Sequence, residues 1–228
     1  MRLNKYIASA TGLSRRAADD AIYRNRVLVN GLAPSAGQQV TTADTITIDG
    51  SAIKLPDTTT TIMLNKPPGY VCSREGQGSK TIYELIPPEF DILKPVGRLD
   101  KDSSGLLLLT NDGELAQLLT HPRYEKTKVY EIRLDAPLQP LHHQMISDHG
   151  IRLEDGVSRL QLSRLKDGDD AGWQVTMHEG RNRQIRRTFE SLGYTVKRLH
   201  RSQFGTYRLG RLKVGEYSVL DASVITRK

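Results

Sequence analysis

Apolar and polar positions change period once within the first fifty residues. Leu3, Ile7 and Ala10 recur at helical spacing and Gly12 ends that run; Ser14 then stands where it caps a second helix, which continues to about Tyr23. Beyond it the period falls to two. Val27-Leu28-Val29 leads into Asn30-Gly31, and Thr45-Ile46-Thr47-Ile48 alternates before Asp49-Gly50; both pairs suit turns with positive φ. Two helices followed by short strands make a small α/β unit. The stretch Lys54-Leu55-Pro56-Asp57-Thr58-Thr59-Thr60 has no period, a proline and consecutive threonines, so a linker is expected there. It divides the chain into a first module, 1–57, and a second, 58–228.

The second module opens with a strand over Thr61–Lys66, ended by Pro67-Pro68-Gly69 and resumed at Tyr70-Val71-Cys72. Leu106 to Leu109 is short enough for a buried strand, and Asn111-Asp112-Gly113 starts a helix carrying Leu115, Leu118 and Leu119 as far as Pro122. Tyr130, Ile132 and Leu134 alternate with polar residues, which on spacing alone places Tyr130 on the apolar face of a half-buried strand. Further on, Ile185, Phe189 and Leu192 fall on one helical face before Gly193. Arg183, Arg186 and Arg187 then project elsewhere at i, i+3 and i+4, as a basic ridge.

Charge changes the picture through its distribution. The net charge of the 228 residues is +7, yet Arg181 to Arg211 holds nine basic residues against one acid, Glu190. The first thirty residues form a second basic cluster. There Arg15 and Arg16 occupy the first turn of the second helix, where cations oppose the helix dipole and phosphates of a partner explain them better. Two basic clusters at opposite ends of the chain favour nucleic acid. No apolar run is long enough to span a bilayer, the first residues lack the apolar core of a secretion signal, and the single Cys72 forms no internal disulfide. A cytoplasmic protein is expected.

Candidate chemistry concentrates in Gly97-Arg98-Leu99-Asp100-Lys101-Asp102-Ser103-Ser104-Gly105, where carboxylates and cations share a tight loop ahead of an apolar strand. Asp100, Asp102, Ser104 and Gly105 match the first half of a calcium-binding loop, but Leu108 and Asn111 stand where its later oxygen ligands belong. A plain Asp-rich turn is the other reading. His121, His142, His143, His178 and His200 lack zinc-site spacing, and no phosphate-binding glycine loop of the nucleotide-hydrolase type occurs. Lys66, at a strand end, can reach a phosphate or lie on the surface.

Arg2-Leu3-Asn4-Lys5-Tyr6-Ile7, Ser14-Arg15-Arg16, Arg26-Val27 and Val29-Asn30-Gly31 resemble the S4 RNA-binding domain. That resemblance implies RNA contacts for Lys5, Arg15, Arg16 and Arg26. Leu64-Asn65-Lys66-Pro67-Pro68-Gly69-Tyr70, Gly97-Arg98-Leu99-Asp100 with Ser103-Ser104-Gly105-Leu106, Lys128-Val129-Tyr130 and Glu179 to Arg187 resemble the motifs of RNA pseudouridine synthases, in order along nearly the whole chain. With the S4-like start, the chain is similar to the RsuA/RluB/RluE/RluF family of ribosomal RNA pseudouridine synthases. Val129 departs from the usual Thr or Glu of the Lys-x-Tyr motif, and the aromatic is kept.

The resemblance implies an α+β fold: an S4-like module joined to a larger mixed, mainly antiparallel catalytic domain. It also implies that Asp100 is the catalytic carboxylate, that Tyr130 stacks on the target base, and that Arg186 ion-pairs with Asp100 and orients it. Arg98 and Leu199 are expected in the substrate pocket, and Lys66, Arg181, Arg183, Arg187 and Arg201 on the RNA. The expected activity isomerises uridine without cofactor or metal, in ribosomal RNA or an assembly intermediate, by a monomer. Gly97–Gly105 and Glu179–Arg187 resemble the large-subunit enzymes more, and Met1–Ile7 and Leu64–Ser73 the small-subunit one; the balance leans to large-subunit RNA. The competing class is a noncatalytic RNA-binding or ribosome-assembly protein on the same scaffold.

Overall fold

The computed structural model describes residues 1–221. Helices α1 (Leu3–Thr11) and α2 (Arg15–Tyr23) open the chain. Gly12 closes α1 in the left-handed conformation, at φ 76°, and the Ser14 hydroxyl accepts the Ala17 amide to start α2. Strands β1 (Val27–Val29), β2 (Ile46–Ile48) and β3 (Ser51–Ile53) form an antiparallel sheet beside them. Asn30, Gly31, Asp49 and Gly50 all take positive φ, as their turns require. Leu3, Ile7, Ala18, Ala21, Val27, Val29 and Ile46 close a small core of their own.

Residues 54–60 carry no helix or strand, and the Asn111 side chain clasps them by accepting the Thr60 amide and donating to the Thr58 carbonyl. The second unit is built from β4 (Thr61–Lys66), β5 (Lys94–Pro95), β6 (Ser104–Thr110), α3 (Gly113–Thr120), β7 (Lys128–Leu134), α4 (Pro140–Gln144) and the hairpin β8 (Ile151–Leu153) with β9 (Gly156–Ser158). It continues through β10 (Gln161–Arg164), β11 (Gly172–Met177), α5 (Gln184–Glu190), β12 (Val196–Phe204), β13 (Tyr207–Arg208) and β14 (Tyr217–Val219). The main sheet runs β10-β11-β7-β12-β6-β4-β14, with β5 and β13 added on β6 and β12. Every pairing in it is antiparallel except β12 with β6, joined at His200–Ser104 and Arg201–Gly105. No helix among the described residues is long and apolar enough to cross a membrane.

Leu106 to Leu109 are fully buried because both faces of β6 are covered. Leu107 and Leu109 enter the large core, while Leu106 and Leu108 enter a second one with Leu115, Leu119 and Phe204. That is why the run is continuous rather than alternating. The Tyr70–Cys72 stretch does not resume β4 as expected; Pro67-Pro68-Gly69 turns the chain away, and Val71 makes only a lone bridge to Thr81. Asp112 caps α3 by accepting the Glu114 and Leu115 amides. The two units meet where the Lys94 ammonium donates to the Ala8 and Leu13 carbonyls, each at 2.8 Å, at the end of α1.

Candidate active site

The loop 97–103 leads directly into the parallel junction at Ser104 and Gly105 and is fixed through its backbone. The Cys72 thiol donates to the Leu99 carbonyl and its sulfur accepts the Leu99 amide, at 3.3 and 3.4 Å. The Ser103 amide donates to the Asp100 carbonyl, and the Gly69 amide to the Lys101 carbonyl. Lys66 was expected to face a phosphate or the solvent, but it has no exposed surface. Its three ammonium protons go to the carbonyls of Pro67 (3.0 Å), Asp100 (3.1 Å) and Ser103 (2.7 Å). Burial pushes the Lys66 pKa down from the usual lysine value. It is an internal brace of the Asp100 loop.

The Asp100 carboxylate opens onto a cavity of about 860 Å³ that Tyr130, Leu199, Arg98, Arg183 and Ile185 help to line. Tyr130 stands on β7 and Leu199 on β12, adjacent strands, and both are nearly buried, so they present an aromatic and an aliphatic wall. The Tyr130 hydroxyl has no hydrogen bond among the described residues. Arg98 is exposed at the rim. Lys128 also reaches this wall, donating to the Glu179 carbonyl at 3.2 Å and lying over the Phe204 ring; burial lowers its pKa, with the Arg201 charge adding to the effect.

Arg186 does not pair with Asp100. It contacts the Asp102 carboxylate at 3.1 Å, donates to the Asp102 carbonyl at 3.2 Å, and donates to the Val196 carbonyl at 2.6 Å. The reason is positional: α5 starts at Gln184 and aims Arg186 along the loop at its far side, toward β12. Asp102, rather than being a bystander, ties that loop to α5. Asp100 is met by Arg183, at 3.5 Å, which also reaches Asp102 at 3.3 Å. Arg183 is not helical; it precedes α5 at φ 47°, so the expected ridge of three arginines is broken at its start.

That ridge is also largely neutralised. Asp155, in the turn between β8 and β9, pairs with Arg181 at 3.0 Å and Arg187 at 2.7 Å, and Glu179 adds a second acid to Arg181. Arg201, expected on RNA, is 2% exposed; its Nε donates to the Leu106 carbonyl at 2.8 Å and its guanidinium rests on Phe204. In the first unit Lys5, Arg15 and Arg16 are exposed, whereas Arg26 is held in a bidentate pair with Asp49. Among the described residues no group of metal-ligating side chains forms, and Asp102 carries guanidinium partners where a calcium loop needs oxygen donors.

What the arrangement offers chemically is a half-exposed carboxylate at the wall of a cavity with one aromatic face, one aliphatic face and nearby cations. It suits a planar base held next to a sugar carbon. Sequence reasoning missed Lys66 as a brace, Asp102 as the partner of Arg186, and Lys128 as part of the wall. The only advance signal for Lys66 was its place at the end of a strand whose middle, Ile62-Met63-Leu64, is apolar.

Comparison with known proteins identifies the setting. The family model described as RNA pseudouridylate synthase matches residues 60–191. The ribosomal small subunit pseudouridine synthase A of Pasteurella multocida (strain Pm70) is 36% identical over 99% of this chain and 98% of its own. The ribosomal large subunit pseudouridine synthase B of Bacillus subtilis (strain 168) is 36% identical over 99% of this chain and 94% of its own. Some other large-subunit relatives are longer, and this chain spans 42% to 59% of two of them. A crystal structure of a pseudouridylate synthase superposes with a TM-score of 0.71 at 34% identity, over 99% of this chain and 98% of that one. With its Asp100 loop, Tyr130 wall and Arg186 anchor all inside the matched region, the chain belongs to the RNA pseudouridylate synthase family, in its RsuA/RluB branch.

Proposed function

We propose that the substrate of this RNA pseudouridine synthase is ribosomal RNA, that its target uridines lie in the large-subunit RNA, and that Asp100 performs the chemistry. The observation that carries the reading is the Asp100 carboxylate at the cavity wall, with Tyr130 and Leu199 beside it. Isomerisation breaks the bond from uracil N1 to C1′ and joins C5 to the same carbon; N1 gains a proton and C5 loses one. An ionised carboxylate serves this by adding to C1′ or by removing the C2′ proton, and a deuterium isotope effect at C2′ distinguishes the two. Tyr130 offers the stacking face for a base flipped out of its helix, at a cost of roughly a few kcal/mol that stacking and phosphate contacts offset.

Residues 1–57 act as an S4-like RNA grip through exposed Lys5, Arg15 and Arg16, and 58–228 as the catalytic domain. Arg98 at the rim and Arg183, the most exposed and least tightly paired arginine of 181–187, meet phosphates. The enzyme works as a monomer in the cytoplasm, where the free Cys72 stays reduced. The target is naked ribosomal RNA or an assembly intermediate. The near full-length match to a small-subunit enzyme favours a second reading, 16S RNA.

The test incubates the protein with 23S and 16S transcripts and assembly intermediates carrying tritium at uracil C5. Tritium release from 23S RNA is the expected result. Release from 16S alone selects the second reading, and binding without release from any substrate selects the noncatalytic class.

A further inference from the structure

The segment 181–187 carries four arginines, of which Arg181 and Arg183 line the cavity, and three of the four are committed. Arg181 is shared among Asp155, Glu179 and the Val157 carbonyl at 2.9–3.1 Å. Arg187 holds Asp155 at 2.7 Å and the Asn182 carbonyl at 2.9 Å. Arg186, with an 11% exposed side chain, joins Asp102 to Val196. Arg183 differs in every respect. Its side chain is 45% exposed, and a single nitrogen, Nη1, makes both of its ion pairs. At 3.5 and 3.3 Å these are the two longest ion pairs among the described residues. They are monodentate and open to water, the kind of pair that exchanges its partner readily.

Its position matters as much as its looseness. Arg183 lies across the two carboxylates of the loop, and while its Nη1 meets Asp100 Oδ2 that oxygen is engaged and not free for a ribose. An approaching polyanion would also meet Asp100 and Asp102 as repulsive charges unless a cation screened them. A phosphate offers the guanidinium two oxygens in the geometry of its planar fork, which neither carboxylate here provides.

We propose that Arg183 is an exchangeable cap: it screens Asp100 and Asp102 while the cavity is empty, then transfers to an RNA phosphate when the target nucleotide enters, uncovering Asp100. This rests on the reading that RNA occupies the cavity. Arg183 is thus a positioning residue that couples RNA binding to exposure of the carboxylate.

The experiment compares the wild-type protein with Arg183→Gln, Asp102→Asn and the double variant. Affinity for 23S and 16S transcripts is titrated at several salt concentrations, with tritium release and melting temperature followed in parallel. Arg183→Gln is expected to weaken binding and to flatten the plot of log affinity against log salt by about 0.7–0.9, one phosphate's worth. Asp102→Asn, which removes a competitor for Arg183, is expected to tighten binding at least about twofold more when Arg183 is present than when it is Gln. Arg183→Lys keeps a transferable charge and restores the slope. An unchanged slope, or strictly additive effects, overturns the exchange even if the variants are stable. Failure of the wild-type protein to bind either transcript instead removes the reading beneath it.

Discussion

Gly105 lies against the backbone of Arg201 so closely that a β-carbon on Gly105 would stand 2.3 Å from the Arg201 carbonyl oxygen and 2.6 Å from its amide nitrogen. This is the parallel junction of the main sheet, and Arg201 is at the same time the register partner of Tyr130 on β7. One contact therefore sets the spacing between the strand leaving the Asp100 loop and the strand carrying the aromatic wall. Gly105 also has φ 106°, a region that side-chain-bearing residues rarely adopt. Gly105→Ala should lose about 2 kcal/mol or more of stability in urea denaturation. A shift within error would mean that the junction is soft.

Arg186 acts through Asp102, and a double-mutant cycle can read this directly. Arg186→Gln and Asp102→Asn should couple by about 0.5 kcal/mol or more in unfolding free energy, because each removes the same ion pair. The coupling of Arg186→Gln with Asp100→Asn should be smaller. Larger coupling to Asp100 would restore the pairing expected from the family.

Asp100→Asn and Lys66→Met separate chemistry from support. Asp100→Asn should lower turnover by about 10²-fold at least, with RNA affinity kept or tightened and melting temperature nearly unchanged. Lys66→Met removes the ammonium from three carbonyls, of which that of Asp100 keeps the Ser103 amide, so it should cost about 2–5 kcal/mol of stability and lower turnover as well. If Lys66→Met left stability intact, the brace would be dispensable.

His200 predicts a pH dependence. It faces Ser104, whose hydroxyl is 3.0 Å from its Nδ1, and burial, with Arg198 reinforcing it and Glu131 opposing it, lowers its pKa below the usual 6.5. The unfolded chain therefore takes up this proton first as the pH falls, so stability is lost as pH drops from about 6.5 through the lowered folded value. Urea midpoints measured from pH 7.5 to 5 should fall more for the wild-type protein than for His200→Asn. Parallel curves would assign the acid sensitivity elsewhere.

The basic residues of the first unit should not be equivalent. Arg15→Ala and Arg16→Ala should each reduce the salt dependence of RNA binding by about 0.7–0.9. Arg26→Ala should reduce it less, since Asp49 already holds that guanidinium at 2.5–2.8 Å. Equal losses at all three positions would show that the Arg26 pair opens on RNA.

Local features were legible in the sequence because they depend on near neighbours. The Ser14 cap, the Asn30-Gly31 and Asp49-Gly50 turns, the strand at Leu106–Leu109 and the Tyr130 face all follow from adjacent residues. What escaped is set by distant register. Lys66 is buried because residues 34 and 37 positions later bring carbonyls to its ammonium. Arg181 and Arg187 lose their excess charge to Asp155, which a hairpin 26–32 residues upstream delivers. The Arg186 partner was misassigned by two residues, Asp102 for Asp100, because nothing in the composition of a tight loop says which carboxylate faces the helix.

The four leucines of β6 also govern how the catalytic loop can move. Leu106 to Leu109 have no exposed surface, and β4 pairs along Gly105–Thr110, so their amides should open to solvent only when this part of the sheet opens. Hydrogen exchange there should follow that opening, while the exposed side chains around Asp100 relax freely. The Asp100 carboxylate thus hangs one short loop from a strand whose leucines have no exposed surface, and destabilising the core along β6 should surface as lost fidelity of the Asp100 position.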